Sequence, residues 1–162
     1  MSDQDKAMLE KYAADAQEGF NAVASQIREL AESKPELAES NTELLAANAV
    51  YLATGTATFA AAVIWGNLTM QLTYNSGEKV QFYGEHWGVG VGAGVCAGAA
   101  LLAVPAKELI GHGTYQVISL GYAVGETTIH LWRGSQYLGL FKGAALAVDA
   151  MAMSGSGHWR AN

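Results

Sequence analysis

The stretch HWGVGVGAGVCAGAALLAV, His86 to Val104, decides the fold. From Gly88 to Val104 it carries no charge, and glycine occupies the even positions Gly88, Gly90, Gly92 and Gly94, with Gly98 following. As a membrane helix it is too short, since a span needs about 20 apolar residues. As a phosphate loop, GAGVCA (Gly92 to Ala97) imitates a dinucleotide fingerprint, but that motif requires a strand before it, a helix after it and a βαβ setting. A strand accounts for the alternation itself. With a side-chain period of two, the glycines share one face and Val89, Val91, Ala93 and Val95 the other. Glycine weakens a strand and is kept where the backbone bends sharply or where something lies against it. Strong barrel curvature, or a helix packed on the bare face, would explain Gly88, Gly90, Gly92 and Gly94.

Outward from this stretch, the chain from Gly55 onward is rich in β-branched and aromatic residues. TATFAAAVIWGN, LTMQLTY, KVQFYGEHW, TYQVISLGYAV, TTIHLWR and QYLGLFKG read as strands. Turns are expected at Gly66-Asn67, Asn75-Ser76-Gly77-Glu78, Gly125-Glu126 and Arg133-Gly134-Ser135. The residues from Gly55 to Gly98 can be laid over those from Gly111 to Gly157, with Tyr74-Asn75 opposite Trp132-Arg133. Two four-strand units of this kind predict a mainly β fold: a compact eight-stranded antiparallel barrel of two Greek-key-like units.

The first fifty residues follow a different period. Met8, Tyr12, Ala16, Phe20, Val23, Ile27 and Leu30 are spaced as the stripe of an amphipathic helix. Pro35 interrupts it, and PELAESNTELLAANAVYLA predicts a second, shorter helical stretch. The division is thus an acidic amphipathic helical segment, 1–50, and a β-barrel domain, 51–162. Residues 1–50 hold ten acids against four bases, whereas the remaining 112 residues hold five of each, so the net charge of −6 sits on the helical segment. That distribution offers no electrostatic footprint for nucleic acid. The stripe residues Met8, Tyr12, Phe20, Val23, Ile27 and Leu30 are the expected membrane or partner contacts.

The resources for catalysis are sparse. Cys96 is the single cysteine, and no serine sits in a nucleophile elbow. His86, His112, His130 and His158 lie 18 to 28 residues apart without the close spacing of metal ligands, and histidine can instead sense pH near 6.5. The expectation is no enzyme, no metal and no cofactor. Trp65, Tyr74, Phe82, Tyr83, Tyr115, Tyr122, Trp132, Tyr137 and Phe141 read first as core or barrel-rim residues, and second as a lipid- or sugar-contacting rim. The start, MSDQDKAMLEKYAADAQ, lacks the basic and apolar regions of a signal peptide. The expectation is a protein cytoplasmic in its producer, or exported by a non-classical route to act outside the producing cell.

YAVGETTIHLWRGSQYLGLFKGAALAV and the terminal GSGHW resemble the C-terminal half of the virulence-associated (Vap) proteins of rhodococci. That family is similar in its aromatic-x-x-Gly strand start, its charged-Gly turn and its Gly-Ser-Gly-aromatic end. Leu138-Gly139, Gly143 and Gly155-Ser156-Gly157 occupy the corresponding places here. VQFYGEHWGVGVGAGV resembles the family's glycine-rich mid-barrel segment. The resemblance, over roughly residues 55–159, implies an eight-stranded barrel without a deep ligand cavity. It also implies a non-enzymatic secreted effector or toxin of virulence type, acting on endolysosomal membranes of a target cell. The expected partner is therefore a lipid membrane or a host protein, with acid freeing the helix stripe to insert. The alternative is a structural or interaction module whose helix docks a partner or forms a homo-oligomer. A third reading, a small apolar ligand inside the barrel, needs a lumen left empty by glycine and alanine.

Overall fold

The computed structural model describes residues 2–45, 50–62, 64–89, 92–119, 126–144 and 151–162. Gly90, Val91, Tyr122 and Gly125 lie outside the described residues. Helix α1 (Asp3–Ser33) begins with a capping box: the Asp5 amide donates to the Ser2 hydroxyl, and the Asp5 carboxylate accepts from the Ser2 amide. It stops where Pro35 becomes the first residue of α2 (Pro35–Ser40). After the one-turn α3 (Thr42–Leu45), the expected longer helix gives way to strand by Tyr51.

Eight strands then close into an antiparallel barrel, as the spacing of turns predicts. They are β1 (Tyr51–Ala62), β2 (Trp65–Tyr74), β3 (Lys79–Val89), β4 (Gly92–Leu102), β5 (Gly111–Ser119), β6 (Glu126–Arg133), β7 (Gln136–Ala144) and β8 (Met151–Ala161), with a single-turn helix α4 (Ala106–Leu109) between β4 and β5. The ring order is β1-β2-β3-β8-β5-β6-β7-β4. In each half the fourth strand returns to lie beside the first, giving two Greek keys, β4-β1-β2-β3 and β8-β5-β6-β7. The keys meet at β3–β8 and at β4–β7.

One turn expectation is corrected. Gly66 and Asn67 lie inside β2, opposite His86 and Glu85, and the chain reverses between Ala62 and Trp65. Gly66, Leu68, Met70, Leu72 and Tyr74 all face inward, and that alternation outweighs the local turn propensity of Gly-Asn.

The stretch that opened the sequence forms two strands on different flanks of the first key. Both glycine runs look into the barrel. On β3 the inward positions are Val80, Phe82, Gly84 and His86, and Gly88 continues them opposite Met153. On β4, Gly92 and Gly94 are in phase with the inward Cys96, Gly98, Ala100 and Leu102, and Gly94 stands opposite the buried Phe59. Curvature thus explains the bare face, and the alternative of a helix packed on it is corrected: α1 lies against the outward Leu101 and Ala103. Side chains supply apolar area that a bare backbone cannot.

The lumen is filled. Phe82 packs edge-on to Tyr115 with ring centres 5.4 Å apart and lies 4.9 Å from Trp159, among buried Met70, Leu131 and Phe141. This overturns the reading of an interior ligand. Where the keys close, a Cβ on Gly98 would meet the Lys142 carbonyl oxygen at 1.9 Å. Gly98→Ala should therefore destabilise the protein by about 3 kcal/mol or more. A urea midpoint unchanged from the wild type would show that the β4–β7 approach is looser than described.

Candidate functional site

Helix α1 runs over the outer face of the β4–β7 junction. Ala16, Phe20, Ala24 and Ile27 are buried against Leu101, Ala103, Tyr137 and Leu140, with Leu44 completing the cluster and Val23, Leu45, Leu52 and Trp132 at its margin. Phe20 and Tyr137 have ring centres 5.9 Å apart, and Tyr137 packs edge-on to Trp132 at 4.8 Å. Of the six nominated stripe residues, Tyr12, Phe20 and Ile27 are buried and Val23 is half-buried. Met8 and Leu30, towards the two ends, are 42% and 46% exposed. The stripe is covered by its own barrel.

Polar groups fix this docking. Asn41, 2% exposed, accepts from the Tyr137 amide (2.7 Å) and donates to the Ser135 carbonyl (2.9 Å) and to Leu37 O (2.9 Å). Its amide behaves as a short piece of strand paired to the β6–β7 hairpin, beside the bulge at Leu131/Trp132. Nothing in the spacing of apolar residues marks Asn41. Along the other edge, Glu126 lies between Lys11 and Lys142, each 3.6 Å away. Burial and the neighbouring Asp15 carboxyl push the Glu126 carboxyl up, against the pull of the two lysines.

The histidines separate into three environments. His86 is buried in the lumen with Nδ1 2.8 Å from the Tyr115 hydroxyl, and burial holds its pKa down. His130, on the outer face of β6, lies 3.0 Å from the Tyr137 hydroxyl. Burial first, and Lys142 second, lower its pKa. His112 and His158 are exposed cross-strand neighbours with ring centres 5.5 Å apart. Among the described residues no three His, Cys, Asp or Glu side chains are arranged to hold a metal. Burial pushes the Cys96 thiol up to about 11, which makes it a poor nucleophile.

The barrel's outer surface carries an apolar edge of its own. Trp65 and Trp87 are register partners across β2–β3, 39% and 69% exposed, and Ile64 in the preceding turn is 62% exposed. Trp87 was missing from the aromatic rim read from the sequence. Its odd position in a strand whose even residues point inward was the signal that could have found it.

No protein-family model matches this sequence, and no curated protein matches it either. Solved structures do. The virulence-associated protein VapB from the intracellular pathogen Rhodococcus equi aligns with a TM-score of 0.55 and 18% identity, over 68% of this chain and 97% of VapB. VapD from the same organism aligns with a TM-score of 0.59 and 16% identity, over 68% of this chain and 98% of VapD. The barrel shares the Vap fold. The resemblance expected from the glycine and aromatic pattern is therefore present in three dimensions.

Stability is predicted to respond to acid in two opposing steps. His130 and His86 titrate below the unfolded value near 6.5, so their stabilising contribution is full above pH 6.5 and is lost as pH falls below it. Glu126 titrates above its unfolded value of 4.5, so stability is regained as pH drops through its raised range toward 4.5. His130→Gln should shrink the fall in thermal midpoint between pH 7 and 5.5 and leave the share due to His86. Phe20→Ala should destabilise helix docking by about 3 kcal/mol, read as exchange of α1 amides. Wild-type exchange rates in that variant would show that α1 does not depend on its seat.

Proposed function

We propose that this protein is a non-enzymatic effector that acts outside its producing cell by engaging a target-cell membrane of endolysosomal type. The observation that carries the reading is the paired exposure of Trp65 and Trp87 beside Ile64 at one end of the barrel. Tryptophan favours the membrane–water interface, where its apolar body and polar N–H are both accommodated. The likeness of fold to two proteins described as virulence-associated supports the same class of action. No described helix is long and apolar enough to cross a membrane.

The helix adds a pH-dependent element. At neutral pH its apolar stripe is seated on β4 and β7 and its acids, apart from Asp15, face water, which disfavours an anionic lipid surface. Protonation of His130, which sits against the Tyr137 hydroxyl and near the Lys142 charge, weakens the seat below pH 6.5. The freed stripe then adds Phe20, Val23 and Ile27 to the lipid contact begun by Trp65 and Trp87. A docking module built on the same helix would likewise have to lift Phe20 and Ile27 off the barrel, and the exposed Trp65–Trp87 pair is what favours the membrane reading.

The experiment is co-sedimentation with, and dye release from, anionic and neutral vesicles at pH 7 and pH 5. Binding at pH 5 should exceed that at pH 7, and Trp65→Ser with Trp87→Ser should weaken it about tenfold at both. His130→Gln should narrow the difference between the two pH values. An absence of vesicle binding in every condition would refute the proposal.

A further inference from the structure

The barrel has a second built feature at the end opposite Trp65 and Trp87. There β1 begins, β2 turns into β3 and β8 ends, and α4 lies across the mouth. Between them is a groove of about 680 Å³, within the range of about 300–1,000 Å³ typical of sites for single small molecules. Its walls are apolar: Tyr51, Tyr74, Val80, Pro105, Ala106 and Ile110. Tyr51 and Tyr74 stand as a tilted pair with ring centres 6.2 Å apart.

The groove is preformed. The Tyr74 hydroxyl donates to the Val104 carbonyl at 2.9 Å. Arg133 donates to the carbonyls of Glu108 (2.8 Å), Leu109 (2.6 Å) and His112 (2.7 Å), which fixes α4 and the chain on its far side. Three carbonyls gathered on one guanidinium leave the segment little freedom to collapse into the groove. Site and ligand are therefore not obliged to order one another on binding.

The rim is cationic. Lys79 and Lys107 border the groove, and among the described residues neither forms an ion pair. The one acid there, Glu78, is engaged by the Ser76 hydroxyl, which holds its carboxyl below the usual range. Two lysines against one carboxylate leave a single positive charge beside an apolar trough. The complementary ligand has one long apolar chain and one negative charge, and the volume suits one chain rather than a double-chained lipid.

We propose that this groove binds a free long-chain fatty acid, its chain along Tyr51, Tyr74 and Val80 and its carboxylate between Lys79 and Lys107. The site lies at the mouth of the barrel, above the packed aromatic interior, and does not depend on the membrane reading.

The test is titration of the intact chain with cis-parinaric acid, a fatty acid whose emission rises in apolar surroundings, below its micelle concentration and without vesicles. Saturable binding at one site is expected, displaced by palmitic acid and only weakly by hexadecanol. Ala161→Trp, at an exposed strand end on the groove, should fill the trough without touching the core and abolish the signal. Lys79→Gln with Lys107→Gln should weaken the acid about fivefold to tenfold and leave the alcohol unchanged. Trp65→Ser with Trp87→Ser should bind the probe as the wild type does. The proposal is overturned by the absence of saturable binding, by full affinity in Ala161→Trp, or by an alcohol that binds as tightly as the acid.

Discussion

The backbone approach of β4 to β7 is the constraint on which the rest of the structure depends. Among the described residues it consists of five register pairs, from Gly98 opposite Gly143 to Leu102 opposite Gly139, against ten at the other junction between β3 and β8. A side chain at Gly98 would strike the Lys142 carbonyl, and Gly139, at φ +142, turns the same strand past Leu101. Without this closure the eight strands would form a sheet with two open edges, each a template for unwanted pairing. With it, the inner faces of both keys seal around Phe82, Tyr115 and Trp159, and the outer faces of β4 and β7 come together as one platform. The seat of α1 draws Leu101 and Ala103 from one side of the junction and Tyr137 and Leu140 from the other.

What the sequence made legible was whatever repeats with a period. The helix stripe, the alternation in β2 and β3 and the weak duplication all survive in three dimensions, because burial on one face enforces them at every second, third or fourth residue. Gly66-Asn67 was misread because turn propensity is local and the inward run from Gly66 to Tyr74 is not. The glycine face was recognised as bare, but its direction was not legible. Period two says which residues share a face, and only the closed ring says that this face is the inside. Asn41 could not be found at all. Its partners, Ser135 and Tyr137, lie more than ninety residues away, and a single polar residue between short helices carries no periodic signature.

The two ends of the barrel differ in chemistry as well as in construction. Ile64, Trp65 and Trp87 place exposed apolar area at one end, while at the other α4, Arg133 and the two lysines frame a groove with a charged lip. Between them the helix presents its acids outward, apart from Asp15, and keeps its apolar stripe inward, apart from Met8 and Leu30. Titratable groups gather near the helix seat, where His130 and Glu126 respond to acid with opposite sign. Such opposition confines the response to the interval between the histidine and carboxylate ranges.

The placement of α1 also has a consequence for biosynthesis. The helix leaves the ribosome before the barrel that covers it, and its platform is complete only once residues through Leu140 have emerged and β4 has met β7. For most of translation its apolar stripe has nowhere to go. Closure of the ring depends on contacts far apart in sequence, which form slowly. The ten acids on residues 1–50 then serve the nascent chain as much as the finished one: they keep an uncovered amphipathic helix hydrated and mutually repellent between neighbouring polypeptides until its berth exists.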